Sequence, residues 1–167
     1  MSRAEQVLDV AQELLDRLGP SALSMRTIAA EVGIRAPSLY RHFPDKAAIE
    51  AALQERALVE LAAALDAAGS GLPALATAYR RWALAHPHRY RLSSGQALHR
   101  DRLSPGVEAA ASAPLLAAVG GDPDRARALW GLAHGLVDLE LAGRFPADAD
   151  LSAAWAAGIA AFSQGSS

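Results

Sequence analysis

The run Ser24-Met25-Arg26-Thr27-Ile28-Ala29-Ala30-Glu31-Val32-Gly33-Ile34, continued by Pro37-Ser38-Leu39-Tyr40-Arg41-His42-Phe43-Pro44-Asp45-Lys46, carries the punctuation of two short helices. Ser24 stands where an N-cap belongs, ahead of a stretch in which Ile28, Ala29 and Val32 share one face. Gly33 closes that helix, because glycine takes the left-handed conformation at little steric cost. Pro37 suits the first residue of the next helix, where its missing N–H would have no partner anyway. Leu39 and Phe43 lie one turn apart on its inner side. Pro44-Asp45 breaks the chain again, and Asp45 is placed to cap a long helix from Lys46 to about Ala68.

Two short helices joined by a glycine turn are the ingredients of a helix-turn-helix. The first helix has to brace the second so that its N-terminal half enters a DNA major groove about 12 Å wide. Bracing needs small and branched apolar residues, which Ile28, Ala29, Val32, Ile34 and Leu39 supply. The groove side needs small residues near the backbone and a long donor, and Ala36, Pro37, Ser38 and Arg41 fit.

Outward from this core the pattern stays helical. Val7, Leu8, Ala11, Leu14, Leu15 and Leu18 form the apolar face of a helix from about Arg3 to Leu18, ended by Gly19 as a left-handed cap and Pro20 as a block. Gly69-Ser70-Gly71 is the clearest hinge. Pro73 opens a helix to Ala85, His86-Pro87 interrupts it, and a short helical segment follows near Arg89 to Leu92. Residues 93–104 read as irregular. Helices are expected over 106–119, 123–143 and 151–163, the second capped by Asp122 with Pro123 at its first position. The chain of 167 residues contains 40 alanines and only 5% aromatics, a bias towards helix and away from sheet. The expectation is an all-α protein.

Several classes fall away. There is no cysteine, hence no disulfide framework, no Cys-ligated zinc and no thiol nucleophile. Charges break every apolar window before the roughly 18 residues a membrane span needs. The opening MSRAEQVLDVAQELL mixes acids into the place of a signal peptide's basic end, so the protein is expected to be cytoplasmic, with no membrane partner. His86-Pro87-His88 and the pair His134 and Asp138 lack a third metal ligand at workable spacing. No P-loop, dinucleotide fingerprint or nucleophile elbow appears, so no enzyme, metal or cofactor is expected.

The net charge of -2 hides an uneven distribution: residues 79–102 hold six bases against one acid. That stretch, Arg80, Arg81, Arg89, Arg91, Arg100 and Arg102, reads as a solvated face, with attraction to an anionic effector as the alternative. Within residues 24–46, Arg26, Arg35, Arg41 and Lys46 face Glu31 and Asp45. Bulk charge therefore neither supports nor excludes DNA.

The two quoted runs closely resemble the DNA-binding domain of TetR-family transcriptional regulators, most specifically from Leu39 to Lys46. The resemblance is strong over roughly residues 3–55. Beyond it, Trp130-Gly131-Leu132-Ala133-His134-Gly135 is similar to the Trp-His-Gly motif of one C-terminal subgroup. The resemblance implies an N-terminal three-helix helix-turn-helix domain over residues 1–47 and a helical effector-binding and dimerisation domain over 48–167. It implies that Tyr40, Lys46, His42 and Ser24 meet backbone phosphates of double-stranded operator DNA. Arg26, Ala36, Pro37, Ser38 and Arg41 then occupy positions that face base edges, with Arg26 suited to guanine. Met25 departs from the family, whose members often carry a hydroxyl there, so one phosphate contact is expected to be lost.

The same resemblance implies a homodimer, because two recognition helices have to reach half-sites about one helical turn apart. The last two helices suit that interface. Gly131, Gly135, Ala142 and Gly143 on one, and Ala154, Ala157, Gly158 and Ala161 on the other, allow close approach. Leu136, Leu139, Trp155, Ile159 and Phe162 serve as anchors, although packing inside one subunit uses the same residue types. Tyr79, Trp82, Tyr90, Trp130, His134 and Asp138 are the candidate lining of a small-molecule effector pocket, with core packing as the plainer role. The expected function is a repressor released from its operator by the effector. The alternative is a helix-turn-helix protein that acts through a protein partner without binding DNA.

Overall fold

The computed structural model describes residues 2–163. Its first helix, α1 (Arg3–Leu18), starts at a capping box: the Ser2 hydroxyl accepts from the Glu5 N–H at 3.1 Å, while the Glu5 carboxylate accepts from the Ser2 N–H. Val7, Ala11, Leu14 and Leu15 are buried as the periodicity requires. Leu18 is a correction: it is 53% exposed, because the helix stops before another element covers its last turn. Gly19 does take a positive φ of 82°, but its ψ of 175° lies outside the left-handed helical region. It thereby turns the chain into a 3₁₀ turn over Pro20–Ala22, which the sequence did not reveal.

Helix α2 (Met25–Val32) begins where Ser24 Oγ accepts from the Thr27 N–H at 3.0 Å and ends at Gly33, left-handed at φ 72°. Helix α3 (Ala36–Tyr40) starts one residue earlier than Pro37 suggested and spans five residues. Helix α4 (Lys46–Ala67) is capped by Asp45, whose Oδ1 accepts from the Ala48 N–H at 2.8 Å. Helix α5 (Leu72–Ala85) follows. Helix α6 (Pro87–Ser94) is longer than the expected Arg89–Leu92 segment, since Pro87 starts it and Tyr90, Leu92 and Ser93 are all buried. Then come a 3₁₀ turn (Arg100–Arg102), α7 (Val107–Ala118), α8 (Pro123–Leu141) and α9 (Leu151–Ser163). Asp122 caps α8 by accepting from the N–H groups of Asp124 and Arg125. No strand occurs among the described residues, and the fold is all-α. No described helix is long and apolar enough to cross a membrane.

Contacts divide the chain into two units, Met1–Leu58 with His86–Pro105, and Val59–Ala85 with Gly106–Ser167. The first unit is thus made of two separate segments. Its core joins Leu14, Leu15, Ile28, Leu39, Ile49 and Leu92, each at 2% exposure or less, with Phe43 at the margin. Each such side chain contributes roughly 1.5–3 kcal/mol by leaving water. Polar ties cross the same unit. Arg89 donates from Nε to Asp16 Oδ1 at 2.8 Å, and Arg56 Nη1 reaches Asp9 at 2.8 Å. The Gln54 side chain, almost wholly buried, donates to the carbonyls of Leu92 at 3.0 Å and Ala97 at 3.1 Å. Its oxygen accepts from the His99 N–H at 3.1 Å.

In the second unit Leu72, Val119, Leu129 and Ile159 form the core, with Leu132 and Phe162 packed against it. Arg80 grips Glu140 with two hydrogen bonds, at 2.9 and 2.7 Å, joining α5 to α8. That bond holds the Arg80 guanidinium charged even more firmly than usual. Gly69 and Gly71 adopt positive φ of 77° and 116° within this unit. The Gly69-Ser70-Gly71 stretch is therefore a turn between α4 and α5 inside one unit, and not a hinge between units.

Candidate nucleic-acid interface

The surface expected to face a DNA groove starts at the N-terminus of α2. Ser24 Oγ, besides capping, lies 2.6 Å from Thr27 Oγ1, so the two hydroxyls form one polar corner. Thr27 has no motif of its own that would mark it in the sequence. Its hydroxyl becomes relevant only because it sits three residues after Ser24 on the capping turn. One residue before it, Arg26 projects into solvent. Across the outer edge of α2, Arg17 Nη2 meets Glu31 at 3.0 Å, which braces α1 against it.

Helix α3 buries one residue, half-covers a second and shows the other three. Leu39 is fully covered, whereas Ala36, Pro37 and Arg41 are exposed and Ser38 is half-buried. Arg41 Nη2 reaches back one turn to Ser38 Oγ at 3.3 Å, which aligns the long donor along the helix. Tyr40 is 50% exposed while Phe43, three residues on, is buried. The two aromatics thus divide between surface and core, as a tyrosine hydroxyl needs solvent or a partner and a phenyl ring does not. His42 is exposed as well.

At the start of α4, Lys46 pairs with Glu50 at 3.0 Å, four residues along the same helix. Glu50 Oε2 also lies 3.7 Å from His99 Nε2. Beside Lys46, Asp45 is gripped by Arg102 through Nη1 to Oδ1 at 2.6 Å and Nη2 to Oδ2 at 3.0 Å. The Arg102 hydrogen bonds, helped by the Ala48 N–H, hold the Asp45 carboxyl below the usual aspartate range. Nothing local in the sequence announces this contact, because 57 residues separate its partners. The basic stretch consequently breaks up: Arg80 answers Glu140, Arg89 answers Asp16 and Arg102 answers Asp45.

The six candidate effector residues do not gather in one unit. Tyr79 and Trp82 are buried on α5 in the second unit. Trp130, His134 and Asp138 follow one another at single-turn spacing on α8 in the same unit. Trp130 is 45% exposed and stacks on His134, ring centroids 5.6 Å apart. Tyr90, wholly buried on α6, belongs to the first unit. Of the residues expected at a dimer interface, Trp155 and Ile159 are buried within their own unit and Phe162 packs on its core. Gly158 is used there too: a Cβ on it would come within 2.9 Å of Leu132 Cδ2. Gly131 and Gly135 face open space, and Leu139 is 43% exposed. No group of side chains suited to a metal ion occurs among the described residues.

A short helix braced by a second and presenting small residues, a tyrosine and arginines defines a helix-turn-helix protein of the DNA-binding class. Comparison with known proteins carries this further. Residues 7–53 match the family model for bacterial regulatory proteins of the tetR family, and residues 72–162 match that for the tetracyclin repressor-like C-terminal domain. The HTH-type transcriptional regulator Rv0681 of Mycobacterium tuberculosis is 30% identical over 155 residues, which cover 83% of this chain and 70% of that protein. The crystal structure of the regulatory protein SCO4313 is 28% identical with a TM-score of 0.78, covering 95% of this chain and 94% of that one. A tetR-family regulator from Streptomyces coelicolor is 26% identical with a TM-score of 0.69, covering 96% of this chain and 80% of its own. The chain belongs to the TetR family and is a DNA-binding transcriptional regulator, a class distinct from enzymes.

Proposed function

We propose that the protein is a repressor that grips a palindromic operator as a homodimer and lets go when a small molecule occupies its C-terminal domain. The observation that carries the reading is the exposed set on α2, α3 and the start of α4. Tyr40, His42, Lys46 and Ser24 meet phosphates, and Arg26, Ala36, Pro37, Ser38 and Arg41 meet base edges. Seven of these nine are exposed beside a closed core and Ser24 and Ser38 are half-buried at its edge, which supports this, since side chains that read a groove have to stand clear of their own fold. In this division of labour residues 1–47 bind DNA, and residues 48–167 bind the effector and pair the subunits.

Dimerisation through α8 and α9 is supported by what those helices leave uncovered. Helix α9 contains no charged residue, yet Ala153, Ala154, Ala156, Ala157, Ala160 and Ala161 are exposed. On α8, Trp130 and Leu139 stand in solvent next to open glycines. Uncharged helix surface of this kind marks a protein partner. The effector reading rests on Tyr79 and Trp82, with Trp130, His134 and Asp138 as polar and aromatic contributors; Tyr90 serves its own core. Ligand binding acts by favouring dimers whose recognition helices no longer match the half-site spacing.

The test is to incubate the purified protein with fragmented genomic DNA and sequence what is retained. A palindromic consensus is the expected result. No enrichment, from a sample that mass spectrometry finds free of co-purified ligand, overturns the reading.

A further inference from the structure

An acidic side chain stands where the reading above brings a phosphate. Asp45 immediately precedes Lys46, and its capping role needs only an acceptor oxygen, which a neutral serine or asparagine also provides. A carboxylate at that place repels DNA unless something cancels it. The cancelling group comes from far along the chain. Arg102 takes both Asp45 oxygens, at 2.6 and 3.0 Å, while Oδ1 keeps its bond to the Ala48 N–H. Such bidentate pairing fixes orientation as well as charge.

Arg102 is itself held in place. The segment that carries it lies on α4 through the Gln54 bonds to Leu92, Ala97 and His99, and through the Ser104 N–H on Glu55 Oε2 at 2.9 Å. All these groups belong to the first unit. The second acid near Lys46, Glu50, has Lys46 on one side and His99 on the other.

We propose that Arg102 is a positioning residue for DNA binding: by cancelling the charge of Asp45 and fixing that carboxylate on the N-terminus of α4, it lets a backbone phosphate approach Lys46. This rests on the reading that Lys46 meets phosphate. Arg102 acts through Asp45 and makes no phosphate contact of its own.

The experiment measures affinity, across a salt series, for a duplex carrying the consensus that the protein selects from genomic DNA. Arg102→Gln weakens binding by about fivefold, the effect of one uncompensated charge about 4 Å from a phosphate in the dielectric of water. Asp45→Asn keeps the cap and binds within about twofold of wild type. The double variant Arg102→Gln/Asp45→Asn returns to within about twofold of wild type, and this rescue is the signature of a role exerted through Asp45. Arg102→Lys, which keeps the charge, guards against misreading a folding defect and stays close to wild type. Wild-type binding with an undiminished Arg102→Gln variant overturns the inference alone. So does a double variant as weak as Arg102→Gln with a salt slope reduced by about one, the mark of a direct phosphate contact. A wild-type protein that binds no duplex overturns the DNA reading, and this inference with it.

Discussion

In the first unit, three pairs of guanidinium and carboxylate groups distant in sequence close on one another; the second has one such pair and leaves more of its large apolar side chains facing solvent. Arg56 with Asp9, Arg89 with Asp16 and Arg102 with Asp45 tie segments together around a core of large branched residues. The second unit has the Arg80 tie to Glu140, and Arg125 Nη2 on the Phe162 carbonyl at 2.6 Å, but leaves Val59, Leu84, Trp130 and Leu139 exposed. Partly exposed ion pairs contribute little each, commonly below about 1 kcal/mol, so the ties serve geometry more than stability. A surface that reads DNA needs its side chains fixed before the duplex arrives. A surface that meets a second protein can leave apolar area to be covered on assembly. Under the proposed function, the difference between the units is a difference between a face that must be finished alone and one that need not be.

The comparison breaks most severely at Leu39. Leu39→Ala empties a fully buried site under α3 and is expected to cost about 2–5 kcal/mol, read as a lower thermal midpoint and lost DNA binding. Gln54→Ala comes next: it deprives two carbonyls and one N–H of their partner, at about 1–3 kcal/mol, measured by urea unfolding. The matched change in the second unit, Leu139→Glu, should alter subunit stability by less than about 0.5 kcal/mol, because the site is open to solvent. Its effect belongs to association, and sedimentation equilibrium should show a shift from dimer to monomer. An unchanged dimer would remove the contrast drawn above.

The smallest effect concerns acid. The folded carboxyl of Asp45 titrates below its unfolded value, so the tie to Arg102 is complete above the ordinary aspartate range and is lost as pH falls through the lower, folded value. Following the Asp45 carboxyl carbon by NMR should place its titration below that of a free aspartate. Asp45 in the Arg102→Gln variant should move back up.

Helix starts and stops were legible because their chemistry is local. Ser24, Asp45 and Asp122 cap the helices they precede, Pro123 opens α8, and Gly33 closes α2 left-handed. What a local window cannot carry is decided at a distance. Leu18 continues the apolar face of α1 by spacing, yet no helix arrives to cover it. Ser93 and Ser94 read as loop, but Tyr90 and Leu92 bury the turn before them and extend α6. The turn, its caps and the exposed positions on α3 could be placed from the helix-turn-helix pattern. The partner of Asp45 could not, since nothing in a window around it announces Arg102.

The two-segment construction of the first unit has a consequence for synthesis. Tyr90, Leu92 and the carbonyls that Gln54 needs all lie beyond the excursion from Val59 to Ala85. A nascent chain ending at Leu58 contains the residues of α1, α2 and α3 but exposes the apolar surface that α6 later covers. At about 5–20 residues per second, the ribosome takes a few seconds to deliver the missing piece. During that interval the nascent recognition surface exists without its brace, and a chaperone that holds apolar helices has its opportunity before any DNA does.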